Sequence, residues 1–191
     1  MNMMRFTTMK TKLRKYPSIF LILLLAISSC FLTGCVNQHP KDSKKSSQGE
    51  SVETMLEITD PKEKQAVLNA KAKVKALSGN PRIVATSPAV ADICDKLDLD
   101  LVGVPKSSVS KIPSRYKKVK KVGLAMSPDM EIVSSLNPDW ILAPSSLETD
   151  LKPKFEELKN TEYAFLNLRS VQGMYRSAQE LGEIFGKQQE A

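Results

Sequence analysis

Apolar and polar positions divide the chain into stretches of different period. Residues 1–17 hold Arg5, Lys10, Lys12, Arg14 and Lys15 with no acidic residue, and an unbroken apolar run follows from Ile19 to Ile27. A basic start, a short apolar segment and small residues behind it predict a secretory signal peptide over 1–34. A spanning helix needs ~18–20 apolar residues, and this run is shorter. From Val36 to Glu50 the chain reads "VNQHPKDSKKSSQGE", polar and without apolar period. Such a stretch cannot bury a core, so 35–59 reads as a flexible tether.

Helical spacing begins at Asp60. Asp60 suits an N-cap, Pro61 the first helical position, and Glu63 the reciprocal place in a capping box. Val67, Ala70, Val74 and Leu77 then recur at helical intervals until Ser78-Gly79 breaks the pattern. The thin stripe predicts an amphipathic spacer helix over 60–80, lying on the body that follows.

From Arg82 onward, β-rich runs alternate with helical ones. "RIVATS", "DLVGV", "PDWILAP" and "TEYAFLNL" read as strands, and a short strand-like "KKVG" precedes Leu124. "PAVADICDKL", "PDMEIVSSL", "SSLETDLKPKFEELK" and "SVQGMYRSAQELGEIFGKQQEA" read as helices, the second starting at Ser127-Pro128 with Pro128 near its first turn. Repeated βα units predict an α/β fold with a mostly parallel sheet covered by helices. In such sheets ligands sit outside the carboxyl ends of the strands.

Charge changes this picture little. The formal net charge is +7, but without residues 1–35 there remain 23 basic and 21 acidic residues. No zinc-finger spacing, aromatic RNP-like motif or basic stripe with aromatics points to nucleic acid. Cys30 and Cys35 fall at the leader, so no disulfide framework is readable. Cys94 shares a helical face with Val90, Ile93 and Leu97 and reads as a small buried hydrophobe. The one histidine, His39, lies in the tether. With neither a glycine-rich phosphate loop nor a nucleophile elbow, and no histidine base in the folded body, no enzyme is expected.

Two resemblances sharpen the expectations. "LTGC", ending at Cys35, resembles the lipobox of bacterial lipoproteins. It implies that Cys35 becomes an acylated N-terminus that holds the body outside a membrane, since two lipid signals anchor stably. "RIVATSPAVADICDKLDLDLVGVP" and "GLAMSPDMEIVSSLNPDWILAP" resemble the N-terminal lobe of the iron-siderophore, cobalamin and heme class of ABC-transporter substrate-binding proteins. Within that class, "IPSRYKKVKKVGLAMSPDMEIVSSLNPDWIL" is most similar to the heme-receptor lipoproteins of the iron-regulated surface determinant system of Gram-positive bacteria.

The resemblance implies one lobe of a two-lobed periplasmic-binding-protein-like receptor over 81–170, with heme as the transported ligand. It implies an ABC permease with its ATPase as partners, cell-wall heme donors, a bilayer reached through Cys35, and no nucleic acid. Met126 matches the methionine that ligates heme iron in that family; the bland reading is a flexible apolar gap-filler. Met130, inside the helix, reads as packing. Ser87, Pro88 and Ala89 open a helix whose amides suit a propionate, and Lys106, Ser107 and Ser108 follow the second strand at the same edge. Tyr116 and Arg115 fall in the matched stretch and serve either the pocket or the covering of a loop. Glu131 aligns with a glutamate that meets an arginine of the permease, and otherwise is an exposed helical charge.

The family has two lobes joined by a long helix, with a histidine of the second lobe as the other iron ligand. Residues 171–191 resemble the start of that helix, and the second lobe and its histidine have no counterpart here. The competing readings are a receptor of the same fold for a ferric siderophore or cobalamin, and a receptor fragment without a ligand.

Overall fold

The computed structural model describes residues 60–191 and the backbone of Arg5–Phe6. In chain order these form β1 (Arg5–Phe6), α1 (Pro61–Lys75), β2 (Ile83–Ala85), α2 (Pro88–Lys96), β3 (Leu101–Val104), β4 (Lys120–Lys121), β5 (Gly123–Leu124) and β6 (Ser127–Pro128). Then come α3 (Met130–Ser135), β7 (Trp140–Pro144), α4 (Glu148–Glu156), β8 (Glu162–Leu166) and α5 (Val171–Phe185). Five strands run parallel in the order β8-β7-β2-β3-β4. β5 and β6 form a separate antiparallel hairpin.

Both faces of this sheet are covered, so its central strands β2, β3 and β7 are continuously apolar rather than alternating with polar residues. Ile83, Ala85, Trp140, Leu142, Ala164 and Leu166 face α1, α2 and α5, where they meet Val67, Val90, Cys94, Leu181 and Ile184. The intervening residues Val84, Ile141, Ala143, Tyr163 and Phe165 face α3 and α4, against Val133, Leu151 and Phe155. Each large apolar side chain buried in this way contributes about 1.5–3 kcal/mol. The Cys94 thiol lies within the first layer, and burial pushes it up to about 12, so it stays protonated.

The structure moves several expected caps and helix ends, and it adds one contact within the stretch read as a leader, which the processed chain would lack. Within the predicted leader, Arg5–Phe6 pairs antiparallel with β8, Arg5 opposite Phe165 and Phe6 opposite Ala164. An edge strand presents unpaired N–H and C=O groups, and this short segment takes some of them. Cys30, Cys35 and His39 lie outside the described residues. Asp60 does cap α1, accepting from the Lys62 N–H at 2.8 Å, but Glu63 does not close a capping box. Its carboxylate instead accepts from Arg176 Nη2 of α5 at 3.0 Å. α3 begins at Met130 behind an Asp129 N-cap, because Ser127-Pro128 is spent on β6. α5 stops at Phe185 rather than running to Ala191, since Gly186 takes the left-handed conformation (φ 72°) and the Lys187 N–H turns back to the Gly182 carbonyl.

Tyr116 is the larger correction. It is 2% exposed, and its hydroxyl donates to the Leu99 carbonyl at 2.6 Å. Leu99 precedes β3, so Tyr116 belongs to the amino end of the sheet, opposite the edge where a ligand is expected. Arg115 stays there too, pairing with Asp98 at 2.7 Å and Asp100 at 2.9 Å. Packing thus decides the role of this pair.

α1 lies on α5 through Val67 and Ala70, and its Lys73 pairs with Glu162 of β8. Beneath it, Glu180 is 1% exposed beside Arg176, which is 7% exposed. Burial, then the Glu63 charge, push the Glu180 carboxyl up to about 7, against the pull of Arg176. A raised carboxyl favours the fold while protonated. This contribution is therefore complete below the unfolded value of 4.5 and is lost as pH rises through about 7. Glu180→Gln is expected to raise the melting temperature above about pH 8 and to change it little near the unfolded value; melts across pH check this. Tyr116→Phe is expected to cost about 1 kcal/mol in urea unfolding by removing a buried hydrogen bond.

Candidate functional site

The site is set by strand order. β2 leads to β3 and β4 on one side, while β7, its neighbour on the other side, leads away to β8. Successive connections therefore diverge between β2 and β7, and a crevice opens outside their carboxyl ends at such a switch point. Thr86 and Ser87 follow β2 there, Ser145 and Ser146 follow β7, and Lys106–Ser108 follow β3. The β5–β6 hairpin follows β4 on the same edge, and Asn167–Ser170 follow β8.

Ser87 caps α2 by accepting from the Val90 N–H at 3.3 Å, and its carbonyl accepts from the Ala91 N–H at 3.0 Å. Pro88 has no N–H to give, so the exposed Ala89 amide is the donor this helix start offers outward. The Lys106 N–H donates to the Gly123 carbonyl at 2.6 Å, which ties the loop after β3 to the hairpin. Ser107 Oγ accepts from the Ser110 N–H at 3.0 Å and so shapes that loop. Ser108 is exposed beside it.

The hairpin has a two-residue tip, Ala125-Met126, between paired Leu124 and Ser127. Its base is closed by the Asp129 N–H donating to the Val122 carbonyl at 2.8 Å. Gly123 enables the tight entry: φ is 95°, and a Cβ there would stand 2.9 Å from the Asp129 nitrogen. At the tip Met126 is 74% exposed, with Leu124 beside it 59% exposed. A side chain filling a gap in the core would be buried; this thioether is held outward by backbone alone. Met130, in contrast, is half-buried against the layer formed by Val133 and Phe155. Glu131 is exposed in the first turn of α3, its N–H donating to Asp129 Oδ1 at 3.1 Å.

Ser87, Pro88, Ala89, Lys106, Ser107, Ser108 and Met126 thus share the carboxyl edge, and Tyr116 does not. Thr86, Ser145, Ser146 and Arg169 join the edge without having been singled out from sequence. Their signal was position after a strand, but only the spatial order of strands shows which strand ends meet. Thr86 is committed, donating through Oγ1 to the Leu142 carbonyl at 3.3 Å across the β2–β7 seam. Arg169 is exposed, as a cation at this edge must be to meet an anionic group. Among the described residues no group of three or more His, Cys, Asp or Glu could hold a metal ion.

Known proteins share this arrangement in part. A curated relative, the high-affinity heme uptake system protein IsdE of Staphylococcus aureus (strain Newman), is 37% identical over 114 residues, covering 60% of this chain and 38% of its own length. Among solved structures, an ABC transporter substrate-binding protein from Listeria monocytogenes EGD-e is 45% identical with a TM-score of 0.56, covering 59% of this chain and 43% of that one. The structure of Staphylococcus aureus IsdE complexed with heme is 36% identical with a TM-score of 0.55, over 59% of this chain and 43% of that one. The chain therefore spans well under half the length of these relatives. The model of the periplasmic binding protein family matches residues 83–191, a span that holds all five parallel strands and the hairpin between β4 and α3. On that match the chain belongs to the periplasmic binding protein family.

Proposed function

We propose that this chain is the N-terminal lobe of a heme receptor serving an ABC-type importer, with heme lying on the carboxyl edge and Met126 offered to its iron. The observation that carries this reading is the exposed thioether at the tip of a braced hairpin. A thioether is a soft, neutral iron ligand, and Met paired with His is an axial set that raises the iron potential. The Ala89 amide, the loop of Lys106, Ser107 and Ser108, and Arg169 supply donors and positive charge for propionates along the same edge. The Ser87 hydroxyl orients this helix start. Substrate transport rather than catalysis is the role of the family, and heme is cargo.

The rest of the assembly follows as part of the same reading. Cys35 carries the lipid anchor once residues 1–34 are removed, residues 35–59 serve as tether, and the lobe works on the extracellular face of a Gram-positive membrane. Glu131, exposed beside the hairpin, is the contact for an arginine of the permease. A second lobe closes over the other face of heme and brings the second axial ligand.

A siderophore receptor of this fold would use aromatic and cationic side chains around a bulky ligand. Trp140, Tyr116 and Tyr163 are instead buried in the two core layers and Tyr175 of α5 alone of the four is exposed, which leaves that pocket poorly furnished. Heme therefore fits the edge better than a ferric siderophore or cobalamin.

Hemin titration followed by visible absorbance tests the proposal. The chain is expected to bind hemin with one protein ligand, more weakly than a two-lobed receptor. Met126→Ala is expected to weaken binding at least tenfold and to remove the iron–thioether spectral signature, while leaving the melting temperature unchanged because the side chain is exposed. Identical spectra and affinity in the variant would overturn Met126 as ligand. Thermal shifts produced by ferrichrome or cobalamin and not by hemin would overturn the choice of cargo.

A further inference from the structure

Charge is distributed unevenly over the fold. Residues 101–128 contain Lys106, Lys111, Arg115, Lys117, Lys118, Lys120 and Lys121 and no Asp or Glu. The other described segments, 60–100 and 129–191, hold 13 Lys and Arg against 17 Asp and Glu. Arg115 is neutralised by Asp95, Asp98 and Asp100. Among the described residues none of the six lysines forms an ion pair, although Lys71, Lys73, Arg176 and Lys187 elsewhere all do. Five of the six are exposed and Lys121 is half-buried.

These lysines occupy one side of the molecule, the connection from β3 to β4 and the strand β4 itself, which ends the sheet. Lysine on an edge strand discourages pairing with other chains, which accounts for Lys120 and Lys121. It does not account for the four lysines of the connection. Nor does it explain Val109, which stands 95% exposed between Lys106 and Lys111. An apolar side chain at a loop tip ringed by lysines suits a surface that is anionic outside and apolar beneath.

We propose that the β3–β4 connection and strand β4 form a membrane-docking face, in which Val109 enters the headgroup region of a bilayer rich in anionic phospholipid and the lysines meet its phosphates. The segment has one aromatic residue, Tyr116, and it is buried, so the stacking that single-stranded nucleic acid requires is missing. The face continues at Lys106 into the carboxyl edge, so docking turns that edge toward the bilayer. Each lysine near such a surface is worth about fivefold in partitioning, and the attraction fades with salt.

The test uses the full chain reconstituted on vesicles, with energy transfer from Trp140, the one tryptophan, to a dansyl lipid. Transfer is expected to be higher on phosphatidylglycerol-containing vesicles than on phosphatidylcholine alone, and to fall as salt rises. Replacing Lys111, Lys117, Lys118 and Lys120 together by Gln is expected to cut the docked fraction at least tenfold without moving the melting temperature or hemin binding. Val109→Asp provides an independent variant with the same expected direction, at a site too exposed to affect folding. Equal transfer on both vesicle types, or transfer that survives both variants, would overturn the proposal. So would a single-stranded oligonucleotide that abolishes the transfer at equal phosphate concentration. Hemin binding is read separately, so loss of the cargo assignment would leave this result standing.

Discussion

Everything at the candidate site depends on a sheet whose five parallel strands all end on one edge. Parallel pairing fixes the direction of each strand, and burial on both faces fixes which residues look toward which helix layer. A one-residue slip of β7 would exchange Trp140 and Leu142 with Ile141 and Ala143 across the sheet. The register therefore cannot drift, and the loops after β2, β3, β4 and β7 are delivered to the same edge. Chemistry there is built from loop residues and helix starts because β2, β3 and β7, the strands around the crevice, have only apolar side chains.

The layers were largely legible in the sequence. Helical and strand-like runs alternate clearly from Arg82 to Phe185, and the apolar strands announce a sheet covered on both sides. What escaped was local backbone behaviour. "GLAMSP" has no Asn-Gly or Gly-Gly pair to mark a hairpin, so the stretch read as a loop leading straight into a helix. The hairpin instead comes from Gly123, whose positive φ starts the reversal, and from Asp129, which caps α3 two residues late. Gly186 ended α5 in the ordinary way, yet the helical period beyond it is smooth enough to hide the stop.

Side-chain roles were harder still. Tyr116 lies in a stretch that resembles ligand receptors, and no local pattern separates a phenol that lines a pocket from one that covers the start of β3. Only the partner of its hydroxyl, the Leu99 carbonyl, decides between them. Glu63 shows the same limit, since its spacing suits a capping box while a guanidinium more than a hundred residues away claims it. Met126 differs in that core packing does not account for it, since its side chain is 74% exposed at the tip of the hairpin.

The pairing of Glu63 with Arg176 bears on where this domain begins. The segment that matches the family starts at Ile83, yet the counter-charge for a guanidinium 7% exposed comes from α1, upstream of that boundary. Cutting the chain at the edge of family likeness would remove that partner and its cover together, opening Arg176, Glu180 and the apolar face that Val67 and Ala70 fill to water. The unit that folds is larger than the unit that resembles, and the helix first read as a spacer is part of its wall.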